Sequence, residues 1–173
     1  MLPRQVISHS QLKKEGLSKI EIEKLSASLK LFPTPFKGIY YIPSKEERGG
    51  WFIDKSFLIL KKSISLFLET KNFYFSCSTA EEYLGLKWRP SSEIHIVNEF
   101  LSRKIDLKKR TQRNKNKKTY RAKKIAHLLS FYGDILIFHK TKSIKDAKTK
   151  VTPNGTFAMK SQIRKDKKKF RKD

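Results

Sequence analysis

Cysteine and long apolar runs are scarce in this sequence, and their scarcity excludes several classes of protein. The chain of 173 residues has one cysteine, Cys77, so an internal disulfide is excluded and a structural zinc site, which takes about four Cys or His ligands, is not expected. The most apolar windows, 57–60 and 64–68, are separated by lysines and are far shorter than the roughly 18 apolar residues of a membrane span. Residues 1–6 lack the apolar core of a signal peptide. We therefore expect a cytoplasmic protein without membrane attachment.

Acidic residues are also few, and the resulting charge is unevenly distributed. The chain has 40 Lys and Arg against 16 Asp and Glu, a net charge of +24. Residues 1–100 contain 15 basic and 11 acidic side chains, whereas residues 101–173 contain 25 and 5. An AT-rich coding sequence would explain scattered lysines, but it explains their concentration after residue 100 less well. Such a surface attracts phosphate backbones, so the composition favours nucleic acid as the partner.

Two capping-box patterns predict a pair of short helices near the N-terminus. Ser8 is followed three residues later by Gln11, and Ser18 is followed in the same way by Glu21. A Gly-Leu-Ser break separates the two, and apolar residues at helical spacing extend the second helix over about residues 19–29. Helix, short break and helix is the spacing of a helix-turn-helix unit.

A strand follows this helix pair and suits the wing of a winged helix. Prolines at 33 and 35 exclude helix, and the run Ile39 to Ile42 is strand-like and closed by Pro43. In a helix-turn-helix the second helix enters the major groove. The candidate nucleic-acid contacts of the helix pair and wing are then Ser18, Lys19, Glu23, Lys24, Lys30 and Lys37. The alternative is that these side chains form the solvated face of an ordinary helix.

The remaining chain predicts an α/β domain after a linker. We expect a winged helix-turn-helix domain at 1–45, a polar linker at 46–50 that ends in two glycines, and an α/β domain at 51–159. The fold class is therefore α+β. Within the second domain the patterns predict a helix from about 54 to 69, strands at 73–77, 93–98 and 134–139, and a third capping box formed by Ser78 and Glu81.

A basic run and a basic tail complete the chain. Residues 107–124 contain ten cations and no carboxylate, so they predict a flexible arm or long exposed loop. The cations of this run are further candidate contacts for nucleic acid: Lys108, Lys109, Arg110, Arg113, Lys115, Lys117, Lys118, Arg121, Lys123 and Lys124. The tail at 160–173 is a second basic run, expected to be a frayed helix or disordered.

The stretch 8–43, with its Gly-Leu-Ser turn and its Lys-Gly-Ile-Tyr-Tyr-Ile-Pro strand, resembles the winged helix of AbiE-type antitoxins. The stretch 73–98, from Phe-Tyr-Phe-Ser-Cys to Ile-His-Ile-Val-Asn, is similar to the strand, short helix and strand that follow in that family. The resemblance implies a transcriptional regulator of a type IV toxin-antitoxin system that represses its own promoter and pairs with a nucleotidyltransferase-like toxin. The chain departs from the family in having only Met1 to Ile7 before the first capping box and in its heavier basic run.

Residues for enzymatic chemistry are sparse, and we expect a binding protein without cofactor or metal. The four histidines, His9, His95, His127 and His139, are far apart in sequence. Cys77 precedes a predicted helix, a position that can lower a thiol pKa, but without a base nearby in sequence a buried structural thiol is favoured. An RNA-binding structural protein of a ribonucleoprotein is the alternative function. A nuclease has the charge but lacks a visible acidic metal cluster.

Overall fold

The computed structural model describes residues 5–171; residues 1–4 and the last two residues of the predicted tail lie outside the described part. The order of elements is β1 (Gln5–Ser8), α1 (His9–Lys14), α2 (Lys19–Ala27), β2 (Phe32–Pro33), β3 (Ile39–Ile42), α3 (Lys45–Gly50), α4 (Ser56–Leu68), β4 (Phe73–Phe75), α5 (Cys77–Tyr83), β5 (Glu93–Asn98), β6 (Arg103–Asp106), α6 (Leu107–Lys115), α7 (Tyr120–Ser130), β7 (Ile135–Lys140), β8 (Thr149–Thr152), β9 (Gly155–Ala158) and α8 (Lys160–Phe170). The predicted α+β class is confirmed. Among the described helices, none is both long and apolar enough to cross a bilayer.

The chain forms two compact units, and each is built from two separate stretches of sequence. Unit 1 contains the chain up to residue 69 together with residues 107–132, and unit 2 contains residues 70–106 together with the chain from residue 133 onward. The helix pair α6 and α7 of unit 1 is thus inserted between strands β6 and β7 of unit 2.

This division differs from the predicted one. The expected boundary at 46–50 lies inside unit 1, and the α/β domain expected at 51–159 contributes α4, α6 and α7 to unit 1 as well. A composition break along the chain reports where polar residues cluster. It does not report which distant segments pack together, so an inserted helix pair has no signature of this kind.

Unit 1 begins with an antiparallel sheet in the order β1-β3-β2, on which the first two helices pack. Both predicted capping boxes are confirmed, because Ser8 and Ser18 each accept a hydrogen bond from the backbone N–H three residues later. The strand predicted at 39–42 is also confirmed. Sheet and helices share one buried apolar cluster, formed by Ile7, Leu12, Ile22, Leu31 and Ile42.

The segment predicted as a flexible linker is helix α3, which a buried carboxylate fixes in place. Ser44 caps α3, and the side chain of Glu47 is only 1% exposed. The Glu47 carboxylate accepts hydrogen bonds from the Tyr41 hydroxyl at 2.7 Å and from the backbone N–H groups of Ser44 and Asp54, each at 2.8 Å. A buried carboxylate with several donors is held firmly, so this segment is ordered despite its two glycines.

The basic run at 107–124 is likewise ordered, which corrects the prediction of a loop or arm. It forms α6, a short turn and the first half of α7. The side of α6 that carries Leu107, Arg110 and Asn114 is buried or half-buried, at the three-to-four-residue spacing of one helix face. On α7, Ala122 and Ala126 are buried. Further along α7, Leu128 and Leu129 are fully buried, so the apolar side chains that attach this highly charged hairpin continue beyond the basic run.

Unit 2 contains a six-stranded mixed sheet in the order β6-β7-β5-β4-β9-β8. Strands β5 and β7 run parallel, as do β4 and β9, whereas the other neighbours are antiparallel. The centre of the sheet is apolar on its buried positions, which include Phe75, Ile96, Leu136, Phe138 and Phe157. The register places the end of β4 beside the middle of β5, since Phe75 pairs with Ile96, and Ile96 in turn pairs with Phe138 of β7.

The described part of the basic tail is helix α8, and it belongs to the fold of unit 2. Ile163 and Asp166 of this helix are both buried. The Asp166 carboxylate accepts hydrogen bonds from the Ser76 hydroxyl at 2.6 Å, the Tyr74 hydroxyl at 3.1 Å and the Gln162 amide at 2.8 Å. The described part of the tail is therefore an ordered helix.

One local prediction in unit 2 is wrong. Ser78 and Glu81 do not form a capping box, because α5 begins at Cys77, two residues before the start that a Ser78 cap implies, and its first turn has no side-chain cap. Glu81 instead forms an ion pair with Lys167 of α8. The competing partner is distant in sequence, so the local spacing alone is misleading here.

Candidate functional site

The hairpin of α6 and α7 has an inner face that packs on the rest of unit 1 and an outer face that is strongly basic. The exposed side chain of Tyr120 also contacts the rest of unit 1: its hydroxyl accepts a hydrogen bond from the Trp51 indole at 3.1 Å, and its ring meets the Trp51 ring edge to face. The outer positions of α6 are exposed at every turn. The hairpin therefore carries its exposed basic side chains on two ordered helices.

Some of the predicted cations donate hydrogen bonds to backbone carbonyls elsewhere in unit 1. Arg110 donates to the Pro35 carbonyl at 3.2 Å, Arg121 donates to the Ala27 carbonyl at 3.1 Å, and Lys124 donates to the Arg48 carbonyl at 2.7 Å. Lys124 is only 7% exposed. A buried ammonium that is bonded to a carbonyl cannot reach a phosphate, so Lys124 is removed from the predicted contacts. Through these hydrogen bonds, Arg110 and Arg121 connect the hairpin to the rest of unit 1.

The other seven cations form what we call the outer basic face. All of them are exposed, and the segment that contains them has no carboxylate. Two pairs, at 109 and 113 and at 108 and 115, are spaced so that they lie on one side of α6. The nine residues of α6 extend about 14 Å, a length that corresponds to about four base pairs of duplex. The outer basic face consists of Lys108, Lys109, Arg113, Lys115, Lys117, Lys118 and Lys123.

The predicted contacts on α2 are exposed but carry mixed charge. Lys19 and Glu23 form an ion pair at 3.9 Å on consecutive turns. Ser18 is exposed, yet its hydroxyl serves as the cap of α2 and donates to Glu21 at 2.7 Å. Lys24 and Lys30 are exposed as well. The electrostatic attraction of this helix is accordingly weaker than that of the outer basic face.

The loop between β2 and β3 holds its predicted contact, Lys37, in a rigid frame. Lys37 is exposed. Its neighbour Phe36 is buried and stacks on Phe67 with ring centres 4.4 Å apart, and the Thr34 hydroxyl donates to the Ile39 carbonyl at 2.7 Å. The position of Lys37 relative to the sheet is thus fixed by its neighbours.

One apolar side chain on α2 is exposed. Ile20, in the first turn of the helix, is 64% exposed. An exposed isoleucine beside Lys19 and Lys24 has no packing role within unit 1 at this exposure. The helical spacing agrees with this exposure, because residues two apart lie on nearly opposite sides of a helix and Ile22 is buried.

In unit 2 the fold brings together three side chains that are distant in sequence. One potential ligand atom from each of Cys77, His95 and His139 lies within 4.8 Å of the other two. His95 and His139 are on neighbouring parallel strands, two positions apart in register, so their side chains share one face of the sheet. Their facing nitrogens, Nδ1 of His95 and Nε2 of His139, are 2.9 Å apart. The two histidines are far apart in sequence, as noted above, and the pairing of β5 with β7 brings them together.

Burial sets the protonation of this cluster. Burial, together with the nearby Asp166 carboxylate, raises the pKa of the Cys77 thiol to about 11, so the lowering of the thiol pKa considered for a helix start does not occur. Burial also lowers the pKa of His95, although the adjacent Glu93 carboxylate opposes that change. At neutral pH the cluster therefore consists of a thiol and, at His95, a neutral imidazole.

Comparison with known proteins leaves the site to be interpreted from its own geometry. No protein-family model, no curated protein sequence and no solved structure matches this chain.

Proposed function

We propose that this chain binds nucleic acid, and specifically that it is a double-stranded-DNA-binding transcriptional regulator of the AbiE antitoxin type, which represses its own promoter. The observation that carries the proposal is the outer basic face: seven exposed cations on an ordered hairpin without a carboxylate. A rigid array of cations binds phosphates at a smaller entropic cost than a flexible arm does. Neutralised phosphates release counterions, which is the main source of affinity for duplex DNA.

The element order of unit 1 supports a winged helix. A strand, two helices and two further strands follow one another, and the sheet order β1-β3-β2 places the last strand in the centre. In this proposal α2 is the recognition helix, and the loop before β3 is the wing that carries Lys37. The confirmed caps fix the start of α2, the end that contacts base edges in such proteins.

The two surfaces would have different roles. The outer basic face consists of Lys and Arg at several helical positions and suits phosphate contacts, which set affinity and orientation without reading sequence. On α2, Lys24 and Lys30 can donate to base edges, and the exposed Ile20 can contact the methyl group of a thymine. Sequence reading would therefore depend on α2, whereas most of the salt dependence would depend on the hairpin.

Autoregulation and a nucleotidyltransferase-like toxin as partner enter the proposal through the family resemblance alone. A regulator of this kind acts in the cytoplasm, and the single cysteine suits that reducing compartment.

A competition experiment tests the proposal. The full chain is titrated into a labelled duplex taken from the region upstream of its own gene, at fixed salt, with unlabelled random duplex or bulk RNA as competitor. We expect the upstream duplex to be bound at least tenfold more tightly than random duplex. Equal competition by random duplex would overturn the regulator, and preferential competition by RNA would favour the ribonucleoprotein alternative.

A further inference from the structure

We propose that Cys77, His95 and His139 form a binding site for one zinc ion, with a fourth coordination position open to the cleft in front of them. The site lies in unit 2, whereas the outer basic face belongs to unit 1. The inference goes beyond the proposed function and does not depend on it.

The ligand set and its geometry suit zinc. Zinc binds imidazole nitrogen at about 2.0–2.1 Å and thiolate sulfur at about 2.3 Å, so ligand atoms around a tetrahedral ion are roughly 3.3–3.8 Å apart. The three ligand atoms here lie within 4.8 Å of one another, and the two facing nitrogens are already 2.9 Å apart. Small side-chain rotations therefore suffice to place all three around one ion.

The surroundings hold the two imidazoles in the orientation that a metal requires. Nε2 of His95 lies 3.4 Å from the Glu93 carboxylate, so its other nitrogen, Nδ1, faces His139. A carboxylate on the far nitrogen of a ligating histidine is a recurring feature of zinc sites, where it fixes the tautomer and strengthens the ligand. The ring of His139 is stacked on Phe170 with centres 4.1 Å apart.

Cys77 is held toward the histidines by its backbone. Its φ angle of +50° lies in the left-handed region, which non-glycine residues seldom adopt. Cys77 lies two residues after the end of β4, the strand that neighbours β5, and its side chain shares a cleft with both imidazoles. A thiol and two imidazoles favour zinc over the hard cations Mg²⁺ and Ca²⁺, which prefer oxygen ligands.

The cleft leaves room for a fourth ligand. It has a volume of about 220 Å³ and is also lined by Lys87, Lys167 and Arg171. Their charge opposes a bare divalent cation, but a thiolate offsets one positive charge of the ion and Lys167 is paired with Glu81. The remaining positive potential favours a negatively charged fourth ligand, such as zinc-bound hydroxide.

Metal analysis of the full chain tests the site. The protein is purified without a histidine tag, stripped with a chelator, dialysed against micromolar zinc sulfate and analysed for bound metal. We expect one zinc per chain. Titration with Co²⁺ in place of zinc should give a thiolate-to-cobalt charge-transfer band together with the intense visible bands of a four-coordinate ion.

Single variants locate the ion. Cys77→Ser, His95→Gln and His139→Gln should each lose the bound zinc, and Glu93→Gln should weaken binding about 10- to 100-fold. His127→Gln, which changes an exposed histidine of unit 1, is the matched control and should retain one zinc. Wild-type binding by any of the three ligand variants would overturn the site. If a variant fails to fold, as judged by circular dichroism, the wild-type cobalt spectrum decides, and absence of the thiolate band would overturn the proposal. None of these readouts depends on nucleic acid.

Discussion

The Ser76 hydroxyl donates a 2.6 Å hydrogen bond to the Asp166 carboxylate, 90 residues later in the chain. Asp166 is 3% exposed and Ser76 is fully buried. This bond connects the end of β4 to the centre of α8 and thereby makes the basic C-terminal helix part of unit 2. It also lies beside Cys77, so the same helix that Asp166 anchors helps to enclose the proposed metal site.

Replacing Asp166 should destabilise the protein strongly. Asp166→Ala leaves the buried hydroxyls of Ser76 and Tyr74 without their acceptor, and lost hydrogen bonds to a buried charge cost about 2–4 kcal/mol in total. Urea denaturation followed by circular dichroism measures the change. Asp146→Ala, at an exposed position of unit 2, is the matched control and should change stability by less than about 0.5 kcal/mol. Equal midpoints for the two variants would contradict the role of Asp166 as an anchor.

Two neighbouring glutamates of α3 should behave differently. Glu47→Ala removes the acceptor of the Tyr41 hydroxyl and of two backbone N–H groups, and should cost about 2–4 kcal/mol. Glu46→Ala changes an exposed carboxylate in the same turn and should leave the denaturation midpoint close to that of the wild type. A large loss of stability for both, or for neither, would show that the buried carboxylate does not order α3.

Local signals in the sequence identified much of the fold. The capping boxes at Ser8 and Ser18 and the alternating strand at 93–98 are confirmed, because each depends on neighbours within a few residues. The spacing of Ser44 and Glu47 is the same capping signal, but the two glycines after it led to the prediction of a linker. A local rule was thus available for α3 and was outweighed by composition.

Long-range contacts account for what the sequence did not reveal. The hairpin of α6 and α7 is attached by charged side chains that donate to backbone carbonyls, as Arg110 and Lys124 do, and a count of charges cannot distinguish such donors from solvated ones. Cys77, His95 and His139 are separated by 18 and 44 residues, and only the sheet order brings them together. Periodicity predicts faces, not the pairing of distant strands.

Lys123 and Lys124 are adjacent cations with opposite expected roles. Lys124 is buried, donates to the Arg48 carbonyl at 2.7 Å and lies 5.5 Å from the centre of the Trp51 ring. Lys124→Ala should therefore destabilise the fold by about 1–3 kcal/mol. Lys123 belongs to the outer basic face, so Lys123→Ala should leave stability unchanged and weaken duplex binding. Thermal denaturation and duplex titration of both variants separate the roles, and reversed outcomes would contradict the assignment of the two faces.

Side chains of the proposed recognition helix α2 and of the proposed wing should contribute more affinity for the upstream duplex than for random duplex. Changing Lys24 and Lys37 together to Ala should weaken binding to the upstream duplex by about 1–3 kcal/mol. The loss on random duplex should be smaller, because side chains at base edges fix the position of the protein along one sequence in addition to contributing charge. Lys55 and Lys62, exposed at α4, provide a control pair of equal charge. Equal losses on both duplexes would mean that Lys24 and Lys37 contact phosphates alone.

The central claim is that the outer basic face contacts phosphates, and the salt dependence of duplex binding tests it most directly. Each phosphate contact contributes roughly 0.9 to the slope of log affinity against log salt concentration. Changing Lys115, Lys117 and Lys118 together to Ala should lower the magnitude of this slope by about 2 to 3 without shifting the folding midpoint, since exposed charges contribute little stability. The same change at Lys142, Lys145 and Lys148, exposed in unit 2, should leave the slope nearly unaltered. A slope that stays the same in the hairpin variant would show that this face points to solvent in the complex and would contradict the account.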